Sequence, residues 1–164
     1  CVVSMLIKIE GVSPTPKGNS GRIVRARSGF PRLIPSKRAV QAQKILTPLL
    51  AEHVTGAPFE GPVRRDVVFC LMIPPSWAKW KKKAAEERRY LPAGGGRTPD
   101  TGNLLKLLDD CLEASGLIYN DAQIIGGECW KVYASTPGYI INLEPIPQAS
   151  REVLGSPLAG WFSD

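Results

Sequence analysis

Two aspartates and a lysine are the residues here whose types and spacing suit chemistry. Carboxylates converging near a cationic side chain are what metal-assisted phosphodiester cleavage requires. Asp100 sits in an acidic turn, Pro99-Asp100, and Asp121 in a second, Asn120-Asp121, with Lys106 between them. The whole stretch, residues 98–123, reads TPDTGNLLKLLDDCLEASGLIYNDAQ. Its Leu104, Leu107, Leu108, Cys111 and Leu112 recur at helical spacing, and Ser115-Gly116 marks the helix end. Asn103, Lys106 and Asp110 fall on a neighbouring face of that helix. The chain can double back after it, so Asp100 and Asp121 are expected to face one point and hold a divalent cation. The plain alternative is a solvated acidic face on which Lys106 and Asp110 form a weak surface ion pair.

The flanks favour chemistry. The net charge of +6 is unevenly spread: residues 1–40 hold eight Lys or Arg against one acid, and residues 77–97 hold seven against two. Residues 98–164 hold three against nine. Two basic segments around concentrated carboxylates suit a polyanion held over a metal site, which points to nucleic acid. Lys17, Arg22, Arg25, Arg27 and Arg32 are the expected phosphate contacts of the first segment, and Lys79, Lys81, Lys82, Lys83, Arg88 and Arg89 those of the second.

The four cysteines are scattered without a CxxC pair, and His53 is the only histidine, which argues against zinc and against a Cys-His or Ser-His nucleophile. The cysteines read as buried free thiols. No apolar run approaches the roughly 18 residues of a membrane span. The opening CVVSMLIKIE lacks the layout of a signal peptide, so a cytoplasmic location is expected.

The elements that must position these residues follow from periodicity. Residues 2–10 alternate like a half-buried strand, and 11–35 form a mobile basic loop rich in Gly, Pro and Ser. Ser36 caps a helix from Lys37 to about His53, with a kink or early end expected at Pro48. Val63 to Ile73 reads as a central strand because VVFCLMI is apolar throughout. Ser76 caps a short basic helix over 77–89, inside a basic excursion that runs to residue 97. Trp77 or Trp80 could stack on an unpaired base there, although core packing is the simpler role. Residues 122–134 form a strand, interrupted at Gly126-Gly127 by a bulge or a close backbone approach. Tyr139 to Leu143 is expected to return as its hairpin partner, and 145–164 as a poorly ordered tail. The fold class is α/β (α+β): one domain over 1–144, with a small mixed sheet flanked by helices.

PSW with its lysine-rich sequel, then PDTGNLLKLLDDCLEASGLIYNDAQII, then GYIINLE, resembles the RusA-type Holliday junction resolvases of phages and prophages. Their pattern is Pro-Asp-x-Asp-Asn-Leu-x-Lys, then Asp-x-Leu, then Asp-Asp-x-Gln-Val, and it runs without a gap from Asp100 to Gln123. The resemblance implies Asp100 and Asp121 as essential carboxylates and metal ligands, Lys106 as the catalytic-site lysine, and Asn103, Asp110 and Asn120 as supporting positions. It implies a homodimer that nicks four-way junction DNA with Mg²⁺ or Mn²⁺. Two positions depart from the pattern: Gly102 stands where the family has its second aspartate, and Asn120 where it has the first acid of the later pair. The loss weakens cation affinity unless another acid, such as Glu128, substitutes. A junction-binding protein without cleavage is the alternative function, and a basic phage structural or regulatory protein a more distant one.

Overall fold

Strand β4 (Val63–Met72) organises the molecule, because its inward positions alternate Val63, Arg65, Val67, Phe69 and Leu71, all buried. The computed structural model describes residues 4–18, 22–25, 31–34, 36–94 and 98–147. Within these, β1 (Met5–Glu10) precedes a two-stranded ribbon of β2 (Arg22–Arg25) and β3 (Pro31–Ile34), and then α1 (Lys37–Ala51). After β4 come α2 (Lys79–Glu86), α3 (Thr101–Ser115), a single 3₁₀ turn (Asp121–Gln123), β5 (Ile124–Gly126), β6 (Cys129–Ala134) and β7 (Gly138–Pro145).

The main sheet is mixed. β1 pairs antiparallel with β7, β7 antiparallel with β4, and β4 runs parallel to both β5 and β6. The α/β expectation and the central place of β4 hold. The hairpin of β6 with β7 does not form. Each takes its own side of β4, because a central apolar strand gains more by being covered on both edges than on one. The expected structureless loop also contains order, since Arg22–Arg25 and Pro31–Ile34 pair antiparallel.

α1 and α3 pack together over one sheet face. Leu46 and Leu50 of α1 meet Leu104, Leu107, Leu108, Cys111 and Leu112 of α3 above Ile7, Phe69, Tyr139 and Ile141. Full burial of each such Leu or Ile contributes about 1.5–3 kcal/mol. That packing explains why α1 continues past Pro48 to Ala51 instead of ending early: Leu46 and Leu50 are fully buried on either side of it. No helix among the described residues is long and apolar enough to cross a membrane. Arg27 and the tail from residue 148 lie outside the described residues, as do the side chains of Arg22, Arg25 and Arg32.

Candidate active site and nucleic-acid surface

Asp100 begins α3 as its N-cap, its Oδ1 accepting the Gly102 N–H at 2.8 Å. This ties one carboxylate oxygen down and satisfies one of the helix's unpaired donors. The turn is held from the sheet side as well, where Lys131 Nζ on β6 donates to the Pro99 carbonyl at 3.0 Å. Gly102 leaves a gap: among the described residues a Cβ built there would meet only the Asp100 carboxylate, at 3.5 and 3.9 Å. Four residues on, and so on the same helix face, Lys106 is exposed and has no carboxylate partner among the described residues.

α3 ends at Gly116, whose φ of 82° is a left-handed cap suited to glycine. Leu117 and Ile118 then join Phe59, through a backbone bond of 2.9 Å and a bridge, so the chain turns back at this end of the helix. The Asp121 N–H donates to Glu113 Oε2 at 3.1 Å. The helix between residues 100 and 113 spans roughly 20 Å, at about 1.5 Å of rise per residue. The Asp121 backbone is thus tied to Glu113 in the C-terminal half of α3, while Asp100 caps the N-terminus of the same helix. Among the described residues no group of three or more His, Cys, Asp and Glu is placed to hold a metal ion. The donor type, carboxylate oxygen, suits a hard divalent cation. The described residues do not complete such a site, and Gly102 leaves an open position beside Asp100.

One acid that feels the Asp121 charge is a residue that the spacing did not single out. Asp109, three residues after Lys106, forms an ion pair with Arg65 and feels the Asp121 charge. Burial pushes the Asp109 carboxyl up, Arg65 draws it back, and Asp121 and Asp110 push it up further, leaving it above the ordinary carboxylate range. The sequence carried a signal for it: Arg65 occupies an inward position of an apolar strand, and a buried guanidinium needs an acid.

Asn103 and Asp110 face elsewhere. The Asn103 carbonyl accepts the Lys17 N–H at 2.9 Å, and Asp110 accepts from the Lys17 ammonium and from Gln43 Nε2 at 3.2 Å. Both thus hold segment 12–18 against α3 and α1. Asn120 caps the 3₁₀ turn, its side chain accepting the Ala122 N–H at 2.9 Å. Gln123 completes that cap and donates to the Phe59 and Gly61 carbonyls, both at 2.8 Å. Glu128 does not replace the missing acid. Its Oε2 accepts from Trp130 Nε1 at 3.1 Å, and Trp130 lies on the opposite face of β6 from Cys129 and Lys131, which face α3. Gly127 packs so tightly that a Cβ would lie 1.9 Å from the Arg65 carbonyl oxygen, the close backbone approach its sequence suggested.

The basic excursion folds as α2, capped by Ala78 without a side-chain bond, and not by Ser76. Lys81 lies 4.0 Å from the Trp77 ring centroid and 4.6 Å from that of Tyr90. Lys83 is 3.9 Å from Glu87, and Arg89 pairs with the same carboxylate. Arg88 closes the helix with φ 58°, a conformation glycine adopts more readily. Lys79 and Lys82 have no carboxylate partner among the described residues, so they carry the least compensated charge of the helix. Trp80 is 70 % exposed, whereas Trp77 packs edge-on against Tyr90 and Tyr133.

No curated protein matches this chain. A family model does: that of the endodeoxyribonuclease RusA, over residues 12–144, which takes in α1, the main sheet from β4 onward, α2 and all of α3. With most of its length matched and the Asp100–Gln123 segment at the centre of the fold, the chain belongs to the RusA endodeoxyribonuclease family.

Proposed function

We propose that this chain binds four-way junction DNA in the cytoplasm and hydrolyses its phosphodiester backbone with the help of Mg²⁺ or Mn²⁺, its cutting weakened by Gly102. RusA-family nucleases act in Holliday junction resolution and in general depend on a divalent metal. Asp100 and Asp121 would hold the cation, which would supply polarisation of the scissile phosphate and activation of water. Asp100, Lys106 and Asp121 are the residues we assign to cleavage. Lys106 stabilises charge that develops on the phosphoryl oxygens, since its ammonium is exposed and has no carboxylate partner among the described residues. The α2 lysines hold the phosphate backbone without reading sequence. Paired nicks across a junction need two such centres, which a homodimer supplies.

The observation that carries the reading is the open position at Gly102, bordered among the described residues by the Asp100 carboxylate alone. The test is cleavage of a synthetic four-way junction by the wild type and by Gly102→Asp, with either metal. Faster cutting by the variant supports the proposal, and a variant that binds but never cuts overturns the assignment of this face. The same gap favours a second reading, a junction-binding protein that acts by occupancy. It predicts salt-sensitive junction binding with no nicking by the wild type at any metal concentration.

A further inference from the structure

A groove of about 490 Å³ opens beside Asp100. Pro14, Pro16, Trp77, Tyr133, Arg38 and Pro99 are among the residues that line it. Pro99 directly precedes Asp100 and is held by Lys131, so the groove and the N-terminus of α3 share a border. Its aromatic wall is built: Trp77 and Tyr133 meet edge to face at 4.9 Å, and Tyr90 stacks on Tyr133 at 6.2 Å. Lys81 covers the Trp77 ring, fixing it from the side of α2. Pro14 and Pro16 are held by the Lys17 bond to the Asn103 carbonyl and by the Thr15 hydroxyl on the Ser13 carbonyl at 3.1 Å.

The lining chemistry selects its occupant. Among the described residues Arg38 is the one charged group that lines it and no acid does; the rest is aromatic, proline, small polar, or the aliphatic pair Leu71 and Met72. Aromatic rings beside a lone guanidinium suit a planar base carrying a phosphate. The volume lies within the roughly 300–1,000 Å³ that takes one small-molecule-sized group. A paired, stacked base cannot enter such a groove, but a nucleotide freed from its stack can.

Resting on the junction reading above, we propose that this groove receives one unpaired nucleotide from the branch point. Its base lies against Trp77 and Tyr133 and its phosphate at Arg38. The groove thereby sets which phosphate comes to Asp100, and it makes an opened branch point bind better than linear duplex.

The experiment uses the full chain and a four-way junction carrying 5-iododeoxyuridine at the nucleotides flanking the branch point. Irradiation followed by mass spectrometry should place crosslinks on Trp77 or Tyr133. Arg38→Gln, an exposed substitution, should reduce the preference for junction over duplex in anisotropy titrations by threefold or more, the constant being the ratio of the two dissociation constants. Junction preference retained in full by Arg38→Gln, with crosslinks confined to Trp80 or Trp130, overturns the groove alone. A wild type that prefers no junction over duplex overturns the junction reading and this proposal with it.

Discussion

Arg65 on β4 and Asp109 on α3 form an ion pair across the core, the arginine side chain 7 % and the aspartate 20 % exposed. The pair ties the helix that carries Asp100 and Lys106 to the central strand, and Arg65 Nε has no hydrogen-bond partner among the described residues. A charge left alone at this depth is costly, so Arg65→Met or Asp109→Leu alone should each lower stability by about 3–5 kcal/mol. Joint replacement by the two apolar residues should cost less than the sum. Urea unfolding of the two single variants and the double variant measures this, and additive losses would show that the two side chains act independently.

Gly102→Asp places a second carboxylate beside Asp100 in the first turn of α3, where the ordinary contact distances leave room for it. The helix N-terminus favours an acid by about 0.3–1 kcal/mol, which offsets part of the repulsion between the two carboxylates. Stability should therefore change little, while junction nicking should rise at least about tenfold, equivalent to roughly 1.4 kcal/mol of barrier. Gel analysis of end-labelled junction arms reads the nicking, and thermal unfolding with and without Mn²⁺ reads cation binding separately. Asp100→Asn in the Gly102→Asp background should remove both gains.

The helix of this site was plain in the sequence, because its leucine stripe, its Asp100 cap and its Gly116 stop are all local signals. The partner of Asp121 was not. Where the chain goes after Gly116 is set by Phe59, more than fifty residues away, and past that contact the Asp121 N–H meets Glu113. Asp109 and Asp110 illustrate the same limit. They are neighbours in sequence, yet one turns to Arg65 and the other to Lys17 and Gln43. Motif spacing favoured Asp110, and only the inward arginine of β4 hinted at Asp109. The path of β7 was likewise hidden, since a short turn before it looks the same whether the strand pairs with β6 or crosses to β4.

The two predicted classes of basic residue should separate in salt. Lys17 gives its ammonium to Asp110 and its N–H to Asn103, whereas Lys82 faces no carboxylate among the described residues. Each phosphate contact adds about 0.9 to the slope of log affinity against log salt. Lys82→Ala should therefore reduce the slope of junction binding by about one. Lys17→Ala should leave the slope nearly unchanged and instead speed amide exchange across residues 12–18. Equal slope changes for the two would mean that Lys17 leaves Asp110 when DNA binds.

Tyr139 supplies a pH test of how segment 12–18 is held. Burial pushes its phenol well above the ordinary tyrosine range, only partly countered by a hydrogen bond that its oxygen accepts from the Thr15 backbone. The side chain also meets Phe69 edge-on at 5.6 Å, inside the core. A phenol raised in the fold contributes stability that is fully present below the unfolded value, near pH 10, and is lost as pH rises towards the folded value. Unfolding free energy should fall above about pH 10, by up to roughly 1.4 kcal/mol per pH unit for this one proton. Tyr139→Phe should remove that part of the slope while costing about 1 kcal/mol at neutral pH for the lost bond. Absorbance at alkaline pH should show one tyrosine ionising only with unfolding in the wild type. If all of the tyrosines titrate together before the fold is lost, the phenol is not sealed in the core and Thr15 is not its anchor.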